Sequence, residues 1–147
     1  MGLEESMRPG QLSNGGFLGE HEKLDDVLKA DDATVRRLGL THEKIAARIQ
    51  YFIDKVCYPT REGSLIDGKY LVGGEVYRGG QECPWGDAGL FMPNSEMDLF
   101  VVNQQTGERL KFPGGIVHLI QVHHFHEGKE SPYRVDPERA ARILEIK

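Results

Sequence analysis

Apolar residues recur with helical spacing near the start of the chain. Those within residues 24–28 follow an i, i+3, i+4 pattern, which is typical of one face of an amphipathic helix. Asp31 or Asp32 is expected to cap a further short helix that runs to Leu38, because a carboxylate at that position accepts hydrogen bonds from the first free backbone N–H groups.

A second helix is predicted from Thr41 to Val56. Thr41 is a favourable N-cap, and Glu43 places a negative charge in the first turn, where the helix dipole favours it. Pro59 follows the last apolar position and stops the helix. The apolar residues of this segment fall on a single stripe, as expected for a helix that packs on a core: Ile45, Ala46, Ile49, Phe52, Ile53 and Val56.

The middle of the chain reads as strands. Residues 69–72 and 75–77 flank Gly73-Gly74, a dipeptide that permits a hairpin turn. Residues 98–102 and 109–112 flank a polar loop and predict a second hairpin. Between the two hairpins lies Gly79–Met97, a stretch rich in glycine and proline, and an irregular loop of this length is more often functional than not.

The remaining segments complete the predicted architecture. Residues 1–20 lack apolar periodicity and are predicted to form a flexible, disordered arm, followed by one domain over residues 21–147. Residues 116–127 lie between two glycine breaks, and their length favours a helix over a strand. Asp136-Pro137-Glu138 begins a last helix that runs towards Ile146. The fold class is therefore α+β: two N-terminal helices, a small antiparallel sheet of about four strands in two hairpins, and two C-terminal helices.

Composition narrows the class of protein. The net charge is −5 and no run of lysine and arginine is present, so the basic surface expected of a nucleic-acid binder is missing. No window of the sequence has the ~20 apolar residues of a membrane helix. The 2 cysteines are too few for a disulfide framework, which favours a reducing cytoplasm.

The chemically unusual feature is a histidine cluster made of His118, His123, His124 and His126. On a helix, His118, His123 and His126 lie within an arc of about 140°, whereas His124 points elsewhere. Apolar residues surround this segment, and buried imidazoles need hydrogen-bonding or metal partners.

Zinc is one such partner, because neutral imidazole and thiolate are its common protein ligands. Cys83 lies in the long loop and can supply a thiolate. We therefore predict a zinc site, structural or catalytic, formed by Cys83, His118, His123 and His126. Cys57, at the end of the second helix, is a further candidate that would make a Cys2His2 set.

A metal-free interpretation competes with this one, since no spacing here reaches the strength of a zinc signature. His118 and His123 are then core or rim histidines bonded to backbone carbonyls or to Glu82 and Glu127. The protein would be an interaction or regulatory module that binds a protein partner or a second copy of itself through its glycine-rich loop and its sheet.

Two further hypotheses are catalytic and DNA-binding. Cys83 with a nearby histidine could be a hydrolase nucleophile and base, oriented by Glu82 or Glu127, and Glu127 could also act as the base for a metal-bound water. Residues 32–56 superficially resemble a helix-turn-helix, whose phosphate-facing residues would be Arg36, Arg37, Lys44 and Arg48. The sequence leaves the function open among these alternatives.

Overall fold

A four-stranded antiparallel sheet lies against helices in the computed structural model, which describes residues 2–147. The strands are hydrogen-bonded in the order β1-β2-β3-β4. This arrangement confirms the α+β prediction. In chain order the elements are α1 (Leu3–Ser6), α2 (Leu24–Arg37), α3 (His42–Val56), β1 (Ser64–Ile66), β2 (Tyr70–Val76), β3 (Met97–Asn103), β4 (Arg109–Pro113), α4 (Ile116–His123) and α5 (Pro137–Ile143).

The central strand β3 shows which face of the sheet is buried. Leu99, Val101 and Asn103 are buried, while the alternate residues Asp98 and Phe100 are not. Successive side chains of a strand point to opposite faces, so one face carries the core. Helices α3 and α5 contact the sheet, and α3 also packs along α4.

Helix α3 forms as predicted. The Thr41 hydroxyl accepts a hydrogen bond from the backbone N–H of Lys44 at 3.1 Å, and the whole apolar stripe of the helix is buried. The helix ends at Val56, before Pro59, and Cys57 follows with a positive φ of 63°.

The predicted hairpin turn at Gly73-Gly74 is wrong, because both glycines lie inside the continuous strand β2. A Cβ atom on Gly73 would overlap the carbonyl oxygen of Thr60, and one on Gly74 would overlap that of Asp98. Glycine is needed here for close approach of backbones within the sheet, which is a known use of glycine in strands. The first hairpin turn instead joins β1 to β2 through residues 67–69.

Asp31 and Asp32 do not cap a short helix, because α2 is one continuous helix that begins at Leu24. Asp31 is buried and receives two hydrogen bonds from the Arg134 guanidinium, at 2.7 and 2.9 Å. Asp32 lies next to His42, with 2.9 Å between its Oδ1 and the ring Nε2. Both carboxylates therefore have long-range partners that local sequence does not reveal.

The N-terminal residues are not a disordered arm in this structure. Residues 3–6 form α1, and Met7, Phe17 and Leu18 are buried in the common core. The backbone N–H of Gly128 also donates to the carbonyl of Phe17 at 2.7 Å. Burial of these apolar side chains offsets the entropic cost of ordering the segment, although they show no periodicity in sequence.

The two C-terminal helices are present but shorter than expected. Helix α4 ends at His123, because His124 adopts a left-handed conformation with φ 55°. Helix α5 has Asp136 as its N-cap, accepting from the N–H of Arg139 at 3.0 Å, and Pro137 as its first residue, as predicted. It ends at Ile143.

Candidate metal centre

Four side chains meet where the long loop crosses α4. Cys83, Asp87, His118 and His123 each offer one ligand atom, and these atoms all lie within 4.8 Å of one another. The structure thus brings together three of the four ligands that the sequence predicts and adds Asp87. This group could hold a metal ion.

Local geometry explains how these residues converge. His118 and His123 lie on neighbouring turns of α4, and their ring centroids are 5.4 Å apart. On the loop side, the N–H of Gly86 donates to the carbonyl of Cys83 at 2.9 Å, which closes a turn that needs glycine at its last position because φ there is 73°. The turn directs Cys83 and Asp87 towards the same side of the helix.

An aromatic stack fixes one of the rings. Trp85 stacks on His123 with 3.9 Å between centroids and an interplanar angle of 6°. Trp85 in turn contacts the edge of Phe125 at 5.7 Å. The imidazole of His123 therefore has a defined plane, as expected of a preorganised ligand.

The polar atoms of the cluster all face a common centre. One Asp87 oxygen lies 2.9 Å from Nε2 of His118, and the other lies 2.8 Å from Nε2 of His123. The Cys83 sulfur lies 3.7 Å from the same Nε2 of His123. The thiol is buried, while the Asp87 side chain retains 38% of its exposure, so the cluster opens to solvent on the Asp87 side.

Charge and burial shift the ionisation of these groups. Hydrogen bonds from the Cys83 thiol and from His118 hold the pKa of Asp87 down at about 2. Burial, together with the neighbouring Asp87 carboxylate, raises the pKa of the Cys83 thiol to about 11. Burial also lowers the pKa of His123. Without a cation, the cluster therefore places an ionised Asp87 carboxylate beside a protonated Cys83 thiol.

His126, the fourth predicted ligand, lies elsewhere. It is fully buried, and its Nε2 lies 3.0 Å from Nδ1 of His42, whose other nitrogen reaches Asp32. The helical arc that grouped His126 with His118 and His123 does not apply, because the helix ends before it. Burial lowers the pKa of His126 to about 3, and its Nδ1 has no hydrogen-bond partner in residues 2–147.

The other candidate residues also lie outside the cluster. Cys57 is exposed at the end of α3, and Glu82 is exposed on the loop. The Glu127 carboxyl is buried and bonded to Ser131. Asp87, and neither glutamate, contacts His118 and His123, and no sequence signal marks it as different from a solvated loop carboxylate.

The geometry disfavours a cysteine nucleophile with a histidine base. Such a pair needs one ring nitrogen on the nucleophile and the other on the orienting carboxylate. Here a single nitrogen, Nε2 of His123, faces both Cys83 and Asp87. The contacts therefore do not provide the relay from carboxylate to histidine to thiol that this mechanism needs.

The helix-turn-helix candidate, residues 32–56, packs its apolar face on the core, and its arginines have partners within the protein. Helix α3 buries its apolar stripe, and three of its supposed phosphate-facing residues have protein partners. Arg36 pairs with Asp32, Arg37 with Glu138, and Arg48 donates to the carbonyl of Leu144.

Comparison with known proteins found no matching family model, no similar curated protein and no similar solved structure. Within residues 2–147, no helix has both the length and the apolar character that crossing a membrane requires.

Proposed function

We propose that this protein binds one zinc ion through Cys83, Asp87, His118 and His123. The observation that carries the proposal is the convergence of four ligand atoms of three chemical types within 4.8 Å of one another. Hydrogen bonding between the loop and α4 does not require a thiol, two imidazoles and a carboxylate in one cluster, whereas a zinc site uses these ligand types.

The ligand types support zinc over other metal ions. Thiolate, imidazole and carboxylate are all zinc ligands, and zinc accepts them in a tetrahedral set. Calcium and magnesium prefer oxygen ligands and would not use the sulfur of Cys83. Ligand atoms around a tetrahedral zinc ion are separated by about 3.4 Å. One Asp87 oxygen now lies 2.9 Å from Nε2 of His118, and the other lies 2.8 Å from Nε2 of His123. The oxygen that binds zinc has to move about half an ångström away from its histidine.

A structural role fits this cluster better than a catalytic one. Four protein ligands fill a tetrahedral zinc ion, whereas catalytic sites keep a position for water. The ion would join α4 to the loop of residues 77–96, which contains no helix or strand. Because the zinc site would form only when the loop is folded, the free energy of zinc binding would stabilise the folded loop. The proposed compartment is the cytoplasm, where the thiol ligand stays reduced.

The loop itself favours a second candidate, an interaction module. Leu90 is 78% exposed and Phe91 is 44% exposed, only a few residues beyond Asp87. Two adjacent exposed apolar side chains are suited to contact a partner protein. In the metal-free version of this candidate, Asp87 and the two histidines hold the loop by hydrogen bonds alone.

Zinc content separates the two candidates. Protein purified without chelator should contain about one equivalent of zinc, and a chelator-competition titration should give its affinity. Cys83→Ser and His123→Ala should each weaken that affinity at least about a hundredfold, because even indirect partners of a zinc site contribute tenfold or more.

Matched controls are available in the same chain. Cys57→Ser removes the other cysteine, and His124→Ala removes a histidine next to His123 that lies outside the cluster. Both should retain zinc like the wild type. Less than about a tenth of an equivalent of zinc in the wild type, or equal zinc loss in the control variants, would overturn the proposal.

A further inference from the structure

A separate cavity of about 280 Å³ lies near the N-terminal end of α4. Its wall includes Phe17 from the N-terminal segment, Tyr77 from the loop, and Glu127 and Tyr133 from the segment after α4. None of the four residues of the metal cluster lines it. The cavity is therefore a second candidate site, independent of the proposed zinc.

Glu127 is the unusual group in this cavity. Only 2% of the residue is exposed, although glutamate is almost never buried without a partner. Its backbone has a positive φ of 68°, a conformation that costs energy for a side chain of this kind. Glu127 thus combines a strained backbone and a buried carboxyl on a residue that lines the cavity, which marks it as a candidate ligand-binding residue.

The Glu127 carboxyl has a serine hydroxyl as its hydrogen-bond partner among residues 2–147. Its Oε1 shares one hydrogen bond of 2.9 Å with Oγ of Ser131, and that hydroxyl also bonds to the carbonyl of Gly16 at 2.9 Å. No ion pair with Glu127 exists within residues 2–147, since the nearby Arg134 is engaged with Asp31 and with the backbone carbonyl of Glu127. Burial raises the pKa of Glu127 to about 8, so the carboxyl is neutral at pH 7.

The remaining lining suits a cation. Three aromatic rings (Phe17, Tyr77 and Tyr133) line the cavity, and aromatic faces attract ammonium groups. Asp98 adds a second carboxyl to the wall. Arg78 also contributes to the lining, but it is exposed to solvent.

We propose that this cavity binds a small organic cation with a primary ammonium group, and that Glu127 is its counter-ion. The buried carboxyl then gains an ion-pair partner, and the ammonium exchanges water for a carboxylate and aromatic rings. When the ammonium enters, the Glu127 carboxyl releases its proton to solvent. Binding at a pH below 8 therefore releases about one proton per ligand.

Isothermal titration calorimetry of the full chain at pH 6.5 tests this proposal. The probes are n-butylamine and 1,4-diaminobutane, and n-butanol is the neutral control of matched size. At least one amine should bind with one-to-one stoichiometry, and butanol should not. Repeating the titration in buffers of different ionisation enthalpy should show release of about one proton.

Glu127→Gln keeps the shape of the side chain and removes its charge. It should weaken amine binding at least about tenfold, since a charged hydrogen bond is lost, and it should abolish proton release. Glu62→Gln, which changes an exposed glutamate outside the cavity, should bind like the wild type.

A direct observation of the wild type keeps the test independent of how the variant folds. The ¹³C chemical shift of the Glu127 carboxyl should move from that of an acid to that of a carboxylate as amine is added. The proposal is overturned if neither amine binds more tightly than butanol, if Glu127→Gln binds amine equally well, or if the carboxyl shift does not move.

Discussion

Replacing Glu127 by glutamine should change how the stability of the protein depends on pH. Burial raises the pKa of this carboxyl from its ordinary value of 4.5 to about 8, so between these values the folded state holds a proton that the unfolded state has lost. The free energy of unfolding contributed by Glu127 is therefore fully present below pH 4.5 and decreases as pH rises to 8. The slope is about 1.4 kcal/mol per pH unit, or about 4 kcal/mol between pH 5 and 8.

His126 acts in the opposite direction and must be considered with Glu127. Burial lowers its pKa from 6.5 to about 3, so its contribution is present above pH 6.5 and is lost as pH falls towards 3. The two slopes cancel between pH 4.5 and 6.5. From these two groups, we expect wild-type stability to be flat over that range and to fall above it.

The Glu127→Gln variant isolates the carboxyl, because its difference from the wild type cancels the contributions of other groups. The difference in unfolding free energy should rise in favour of the variant by about 1.4 kcal/mol per pH unit from pH 5 to 8. Urea denaturation, monitored by circular dichroism at each pH, measures this difference in unfolding free energy. A chelator should be present so that metal binding adds no pH dependence. Glu62→Gln should run parallel to the wild type. If the unfolding free energy of Glu127→Gln depends on pH in the same way as that of the wild type, Glu127 is not a buried neutral carboxyl with a raised pKa.

Four other outcomes test the fold and the cluster. Asp31→Asn leaves the Arg134 guanidinium without its buried partner and should cost about 3–5 kcal/mol in urea denaturation; a cost below about 1 kcal/mol would contradict the pairing. Thr41→Ala removes the N-cap of α3 and should cost about 1 kcal/mol by the same assay, whereas no change would show that the cap is not formed. Gly74→Ala should lower the thermal midpoint markedly because its Cβ overlaps a neighbouring backbone, and a wild-type midpoint would refute that close approach. Zinc should raise the thermal midpoint of the wild type but not that of Cys83→Ser, and equal shifts would place the ion elsewhere.

Local signals explain the parts of the fold that the sequence predicted. Helix α3 has an N-cap, a continuous apolar stripe and a terminating proline within one segment, and all three act over a few residues. Helix α5 has a similar start at Asp136 and Pro137. Such features depend little on tertiary context, so the α+β class and these boundaries could be predicted.

Long-range contacts explain the errors. Gly73 and Gly74 match a hairpin turn locally, but their role comes from Thr60 and Asp98, which approach their backbone from other segments. Asp31 and Asp32 resemble caps until Arg134 and His42 are placed beside them. A single sequence does not show which segments meet.

The candidate site could also be predicted only in part from the sequence. Cys83, His118 and His123 were identified from residue type and spacing, and the structure brings them together. His126 was included only because the helix was extended beyond His123, where a left-handed residue ends it. Asp87 was missed because an acidic residue in a loop looks like any solvated carboxylate until its neighbours are known.

X-ray absorption at the zinc edge of the zinc-loaded protein tests the metal site most directly. We expect one sulfur ligand at about 2.3 Å and three nitrogen or oxygen ligands at about 2.0–2.2 Å. The sulfur should disappear in zinc-loaded Cys83→Ser and persist in Cys57→Ser. A first shell without sulfur in the wild type, or a sulfur that remains in Cys83→Ser, would contradict the proposed zinc site.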